Sequence, residues 1–322
     1  MTRKSHTMAA VVAVGAAATL LLSGCAGEAG GNGRDIAFIQ GLSGDEFYIT
    51  MQCGIESAAK DAGATVNTQG PTKFDPTLQK PLVDSVVASR PAAILIAPTD
   101  AAAMRAPLRA AERAGIKVIL VDTTLDDPSI GESRIASDNK GGGAEAFAAI
   151  RQLNPNGGKV LVMSTDPGVS TLDARVAGFQ GAVEQDPKFS YLGVQYSHND
   201  PAEAAKIMSA ALSKDPDIVG VFAANLIAAE GTATGVRQAS KQDQVKIVGF
   251  DAGPAQVDQL REGTVQALIA QEPATIGTDG VEQALAAIDG KPVTANIQTG
   301  FQVITAENVD TEGAKWIYKS SC

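Results

Sequence analysis

Asp122, Asn225 and Asp251 each follow a short apolar run: Lys117-Val118-Ile119-Leu120-Val121, Ile218 to Ala224, and Lys246-Ile247-Val248-Gly249-Phe250. Runs of this kind read as buried strands, and in open α/β sheets ligands are held beyond the carboxyl ends of strands. An ionised carboxylate placed there accepts two hydroxyl protons, and an amide both donates and accepts. Two carboxylates facing one cleft could also act as acid and base in glycoside hydrolysis, so Asp122 and Asp251 admit an enzyme reading beside a binding one. The plainer alternative is that such residues only cap the helix that follows. It suits Asp100, because Thr99-Asp100 precedes a helical stretch. Other chemistry is thinly supplied. Two histidines and three cysteines do not make a zinc site at recognisable spacing. There is no HExxH, GxSxG, P-loop or GxGxxG run either. No catalytic residue outside the carboxylates, no metal and no cofactor is expected.

The elements that must hold these residues follow from the alternation of β-rich runs with segments of helical period, which argues for βα units and parallel sheets. Strands are predicted over 35–40, 64–68, 93–97, 117–121, 159–164, 191–197, 218–223, 246–250 and 267–271. Helices are predicted over 47–61, 76–89, 101–114, 141–153, 171–185, 202–213 and 226–240. Pro76, Pro201 and Pro254 stand near helix starts, where a missing N–H costs little. Gly63, Gly115 and Gly290 follow helical runs. A repeat links the halves: Ala93 to Asp100 leads through a helix to a strand ending at Asp122, and Ile218 to Asn225 leads through a helix to a strand ending at Asp251. Two similar halves facing each other across a cleft follow. A length of 322 residues, at about 150 residues per domain, agrees with two lobes.

Composition narrows the partners. The net charge is −10, and losing Arg3 and Lys4 with a leader makes it more negative still, which repels nucleic acid. That leader reads as a basic start, an apolar stretch from Met8 to Leu22 and small residues before a cleavage point, the pattern of a secretory signal over residues 1–24. Leu22-Ser23-Gly24-Cys25 resembles the bacterial lipobox, implying cleavage before Cys25, a lipid on its sulfur, and a protein anchored to the outer face of the cell membrane. The alternative is an ordinary signal with an incidental cysteine. Residues 25–33 read as a Gly-rich tether. Disulfides persist in an export compartment, so Cys53 and Cys322 are expected either to bridge, fastening the C-terminal tail to the first lobe, or to remain two thiols.

Eight segments in order resemble the periplasmic sugar-binding proteins of the ribose and galactose type: Phe47-Tyr48, Ile94 to Asp100, Val121-Asp122, Ala136 to Asn139, Ala174 to Phe179, Val221 to Asn225, Val248 to Asp251 and Ile269 to Gln271. The resemblance implies a type I periplasmic binding protein: two Rossmann-like lobes with parallel sheets, joined by a hinge crossed three times, near 137–139, 271–272 and 300–302. The lobes would comprise 34–137 with 272–300, and 138–271 with 301–310, leaving 311–322 as a tail. It also implies a ligand set of Asp45, Phe47, Tyr48, Asp122, Arg175, Asn199, Asn225, Asp251 and Gln271. Because Phe47 and Tyr48 are adjacent on one helix, only one ring is expected to face the cleft. His198 is expected at the surface.

The function implied is that of the substrate-binding component of an ABC importer, a monomer that takes a monosaccharide or related polyol and docks on a membrane permease. A ligand-sensing lipoprotein serving a membrane receptor, and a carboxylate glycoside hydrolase, are the alternatives. The chain departs from the family pattern in three places. Thr123 follows Asp122 where Arg is common, Leu226 follows Asn225 where an acidic residue is common, and Asp45 stands where an amide is common. The Gly141-Gly142-Gly143 run beside a crossing either starts a helix packed on the other lobe or loosens the joint.

Overall fold

The structure, a computed structural model, describes residues 33–322; the signal segment and Cys25 lie outside the described residues. The chain runs β1 (Asp35–Ile39), α1 (Glu46–Asp61), β2 (Thr65–Gln69), α2 (Pro76–Ser89), β3 (Ala93–Ile96), α3 (Arg105–Arg113), β4 (Lys117–Val121) and β5 (Ser133–Ser137). It continues with α4 (Asn139–Leu153), β6 (Gly158–Ser164), α5 (Ser170–Val183), β7 (Phe189–Tyr196), α6 (Pro201–Lys214), β8 (Ile218–Ala223), α7 (Leu226–Gln238) and β9 (Lys246–Phe250). It ends with α8 (Pro254–Arg261), β10 (Ala267–Gln271), α9 (Pro273–Ile288), β11 (Asn296–Thr299), β12 (Phe301–Ile304) and a tail with one 3-10 turn.

Two six-stranded sheets result, ordered β11-β5-β4-β3-β1-β2 and β12-β10-β9-β8-β6-β7. Both have the same winding, so the repeat seen in the sequence is a repeat of topology. All pairings are parallel except β10 with β12. Central strands such as Ala93–Ile96 are buried along their whole length, as expected where helices cover both faces of a parallel sheet. In each sheet the winding reverses beside the first strand, at β1/β3 and at β6/β8. Such a switch point opens a crevice at the carboxyl edge. The chain passes between the sheets at Asp138, Glu272 and Gly300.

Two helix pairs are built alike. On α1 and α9, a Cβ at Gly54 would meet the Ala274 carbonyl and one at Gly277 the Met51 carbonyl. On α4 and α5, a Cβ at Gly143 would meet the Arg175 carbonyl and one at Gly178 the Lys140 carbonyl. In each pair every glycine stands three residues after the carbonyl that faces the partner's glycine. The backbones therefore meet at the closeness that Cα–H···O contacts require. This settles the Gly141-Gly142-Gly143 run. It lies within α4 and packs on α5 and the second sheet, neither against the other lobe nor as a loose joint.

Local structure departs from the sequence reading in a few places. The helix predicted from Ala101 begins only at Arg105, because the Asp100 carboxylate holds the Ala102 and Ala103 N–H groups in a turn first. β5, β11 and β12 were not predicted. β5 and β11 are short, and both mix polar residues into the run.

Candidate functional site

Asp45 is the N-cap of α1, its Oδ1 accepting from the Phe47 N–H at 2.8 Å. That anchors the first turn, which carries Phe47 and Tyr48, at the mouth of the β1/β3 crevice. Both rings are buried and both line the cavity below, against the expectation of one. At a helix end the crevice wraps the terminus, so neighbours about 100° apart can both face it. The rings meet edge to face at 5.2 Å. The Tyr48 hydroxyl donates to Asp122 Oδ2 at 2.8 Å.

Asp122 and Asp251 are the residues just after β4 and β9, equivalent strands of the two sheets, and both have left-handed backbones with φ 63° and 79°. Aspartate tolerates this region better than most residues, yet it remains an uncommon conformation, of the kind that gathers at binding sites. Each turn aims a carboxylate back over its strand end. Asp251 is held by three donors: the Leu226 N–H on Oδ2 at 3.0 Å, Gln271 Nε2 on Oδ1 at 2.6 Å, and the Tyr318 hydroxyl on Oδ1 at 3.1 Å.

Arg175 comes from α5 and is only 3 % exposed. Its Nε donates to Asn139 Oδ1 and its Nη1 to the Ala224 carbonyl, both at 2.8 Å. Its guanidinium stacks 3.7 Å above the Phe250 ring. The glycines of α4 seat it: Gly143 clears room for the Arg175 carbonyl, and Gly142 for the edge of the same Phe250 ring. Asn225 caps α7, accepting from the Ala228 N–H at 3.1 Å and donating to Asn199 Oδ1 at 2.8 Å. His198 is exposed and pairs with Asp166.

All nine residues named from the sequence, Asp45, Phe47, Tyr48, Asp122, Arg175, Asn199, Asn225, Asp251 and Gln271, line one cavity. Phe74, Thr123, Thr165, Val169, Thr171 and Leu172 complete its wall. They lie on loops or at a helix start, where no periodicity marks them. Opposite the hinge the two halves touch through Ala101 N–H to the Gly168 carbonyl at 3.1 Å and Thr124 N–H to Ser170 Oγ at 2.8 Å.

Tyr318 had no signal in the sequence. Its hydroxyl donates to Asp251 and accepts the Gln271 N–H at 3.0 Å, its own N–H donates to the Ala252 carbonyl, and its ring lies 5.9 Å from Phe47. One residue later the tail reaches the first half, where Lys319 N–H donates to Thr50 Oγ1. It ends in a Cys53–Cys322 disulfide with Cα atoms 5.3 Å apart. Of the two alternatives for these cysteines, the bridge is the one present.

Burial dominates the electrostatics. It pushes the Asp45 carboxyl up to about 7, helped by the charge of Asp251, and the Asp122 carboxyl up to about 6 against the pull of Arg175. Burial and adjacent carboxylates also raise the Tyr48 and Tyr318 phenols, which stay protonated donors. Ligand-free protein is therefore expected to lose thermal stability as pH rises from 5 to 7. Both folded-state values lie above the usual 3.8, so in that window the unfolded chain holds fewer protons, and stability falls with pH. The exposed carboxyls lowered by their hydrogen bonds, such as Asp75 and Asp127, titrate below this window. Thermal melts of the parent and of Asp45→Asn check this; a melting temperature that climbs to pH 7 in the parent contradicts it.

Two doubly wound halves that close on one polar cavity and share three chain crossings define a hinged solute-binding protein with the type I fold. The family model for the periplasmic binding protein domain matches residues 36–292, and the chain belongs to that family. It is 30 % identical to a ribose import binding protein of Salmonella typhimurium, over 84 % of this chain and 90 % of that one. It is 28 % identical to a ribose import binding protein of Bacillus subtilis, over 85 % and 89 %. Among solved structures, an ABC transporter solute-binding protein of Agrobacterium vitis bound with alpha-D-tagatopyranose superposes with a TM-score of 0.87 at 41 % identity, covering 88 % of this chain and 99 % of that one. Another from the same organism, with bound D-fucose, gives 0.84 at 29 %, covering 88 % and 100 %.

Proposed function

We propose that this protein is the substrate-binding component of an ABC importer and takes a monosaccharide or related polyol between its lobes, 34–137 with 272–300 and 138–271 with 301–310. The observation that carries this reading is the gathering of carboxylate, guanidinium, amide and aromatic groups from both halves around one cavity. A sugar offers hydroxyls that donate and accept, and a mildly apolar C–H face for Phe47 and Tyr48. Charge-assisted hydrogen bonds contribute roughly 1.5–3 kcal/mol each, so four or five of them supply about 6–15 kcal/mol, to be set against the roughly 8 kcal/mol of micromolar binding before ordering costs. Contacts to both halves exist together only when the lobes are closed, so ligand shifts the hinge equilibrium toward that state. The closed form would then dock on the membrane permease as a monomer.

The protein works outside the cytoplasm on this reading, held to the membrane by a lipid on Cys25 after removal of residues 1–24. No helix among the described residues is long and apolar enough to cross a membrane; on this reading the acyl chains do the anchoring. Calorimetric titration with a panel of pentoses, hexoses and alditols tests the function, with small-angle scattering to follow closure. The expected result is a micromolar or tighter Kd for at least one member, with a smaller radius of gyration; no heat and no compaction across the panel would overturn it. Mass spectrometry of the mature N-terminus reads the anchor, expected as an acylated Cys25.

A further inference from the structure

The cavity carries more negative charge than its own groups can balance. Asp45, Asp122 and Asp251 line it with a single cation, Arg175. Its other lining residues are neutral, and Glu46 adds a further negative charge beside Asp45. Asp251 already holds three protein donors, whereas Asp122 Oδ2 and Asp45 Oδ1 hold one protein donor each. Their other oxygens, Asp122 Oδ1 and Asp45 Oδ2, lie outside these bonds.

A second observation is independent of charge. Gln271 is 2 % exposed and its Oε1 is buried with no partner, as is the Thr165 hydroxyl. The amide cannot be turned round to relieve this, because its other end faces the Asp251 carboxylate, which only accepts; Nε2 must sit there and Oε1 must remain an open acceptor. The open acceptors are Gln271 Oε1 and the free carboxylate oxygens, while the guanidinium has spent Nε and one Nη1 N–H on Asn139 and the Ala224 carbonyl. A buried acceptor left unpaired is costly, and a buried carboxylate without a counter-charge more so. A neutral ligand can donate hydroxyl protons to these oxygens but leaves the excess of negative charge in place.

We propose that the ligand is an amine-bearing sugar or polyol, its protonated nitrogen seated among Asp45, Asp122 and the Gln271 carbonyl oxygen. This rests on the sugar or polyol reading above and sharpens it. An ammonium group offers three donors to these oxygens and the positive charge that the cavity lacks. It replaces the proton that Asp45 otherwise retains near neutral pH.

Matched pairs test the idea: D-glucose with D-glucosamine, D-galactose with D-galactosamine, D-mannose with D-mannosamine, and sorbitol with N-methyl-D-glucamine, titrated at pH 7 in two buffers of different ionisation enthalpy. For at least one pair the amine is expected to bind at least tenfold tighter than its neutral partner, with proton release to the buffer. Asp45→Asn keeps a capping side chain on α1 and is expected to bring that ratio within about threefold of unity, since about 1.4 kcal/mol separates each tenfold step. Asp122→Asn, whose backbone position asparagine tolerates, is a second variant with the same expected direction. If the neutral member of every pair binds as tightly as the amine, or both variants leave the ratio unchanged, the proposal is overturned while the sugar reading stands. Silence from all eight compounds sinks both.

Discussion

Replacing Arg175 by alanine is expected to weaken binding of the cognate ligand at least about 100-fold. Truncating one member of a buried, hydrogen-bonded charge group costs about 2–5 kcal/mol, largely because the partner charges are left behind. Here three carboxylates share the one guanidinium, and no other cation lines the cavity. The loss has a structural part too. Asn139 Oδ1 and the Ala224 carbonyl forfeit their donor, and the Phe250 ring forfeits the group stacked on it. The variant should consequently melt lower than the parent, and by a larger margin at pH 8 than at pH 5, where Asp45 and Asp122 take up protons and need the guanidinium less. Arg175→Lys should recover part of the stability and little of the affinity, since an ammonium cannot reproduce two planar donors and a stacked face at once. Titration calorimetry and thermal melts at the two pH values read both effects. A Kd for Arg175→Ala within threefold of the parent's would falsify the assignment of this cavity as the binding site.

The second large effect concerns the far end of the chain. Changing Cys53 and Cys322 together to serine is expected to lower the melting temperature by about 5–15 °C, corresponding to the roughly 2–5 kcal/mol that loss of a native disulfide typically costs. The bridge closes a loop spanning 269 residues of sequence, so it removes much freedom from the unfolded chain. Releasing the tail also loosens Tyr318, and with it one of three donors to Asp251 and the partner of the Gln271 N–H. Ligand affinity should therefore fall as well, by about three- to tenfold, the worth of one modest hydrogen bond. Tyr318→Phe in the bridged protein separates the two contributions, because it removes the hydroxyl and keeps the disulfide. It is expected to weaken binding to a similar degree and, by orphaning the Gln271 N–H, to lower the melting temperature by less than loss of the bridge does; unchanged affinity in both variants would leave the tail a fastening and nothing more.

The fold and much of the site were legible because their signals are local. Runs such as Ala93 to Ala97 and Val118 to Val121 are apolar throughout, as strands covered on both faces must be. The prolines at 76, 201 and 254 do stand at the first position of α2, α6 and α8. The residues named from the family resemblance lie next to these strand ends and helix starts, which is why they fall on one cavity. The illegible part is what depends on distance along the chain or on end effects. Tyr318 meets Asp251 across 67 residues, and a tail without periodicity says nothing of where it lands. The adjacent rings of Phe47 and Tyr48 were misjudged because a rule for the middle of a helix was applied to its first turn. The glycines at 141–143 could be read as slack until their neighbours were known; Gly142 makes room for the edge of the Phe250 ring and Gly143 for the Arg175 carbonyl. Charge was legible in part: Asp45 stands in place of an amide, and Thr123 in place of an arginine makes the cavity less cationic than the family pattern.

The tail carries a consequence for how the molecule wears out. Tyr318 gives Asp251 one of its donors, the Lys319 N–H holds Thr50, and Cys322 ties the segment covalently to α1. A reductant or protease that frees this stretch touches no strand or helix, yet it strips a donor from the cavity. Damage at the tail therefore reaches the recognition site without unfolding either half.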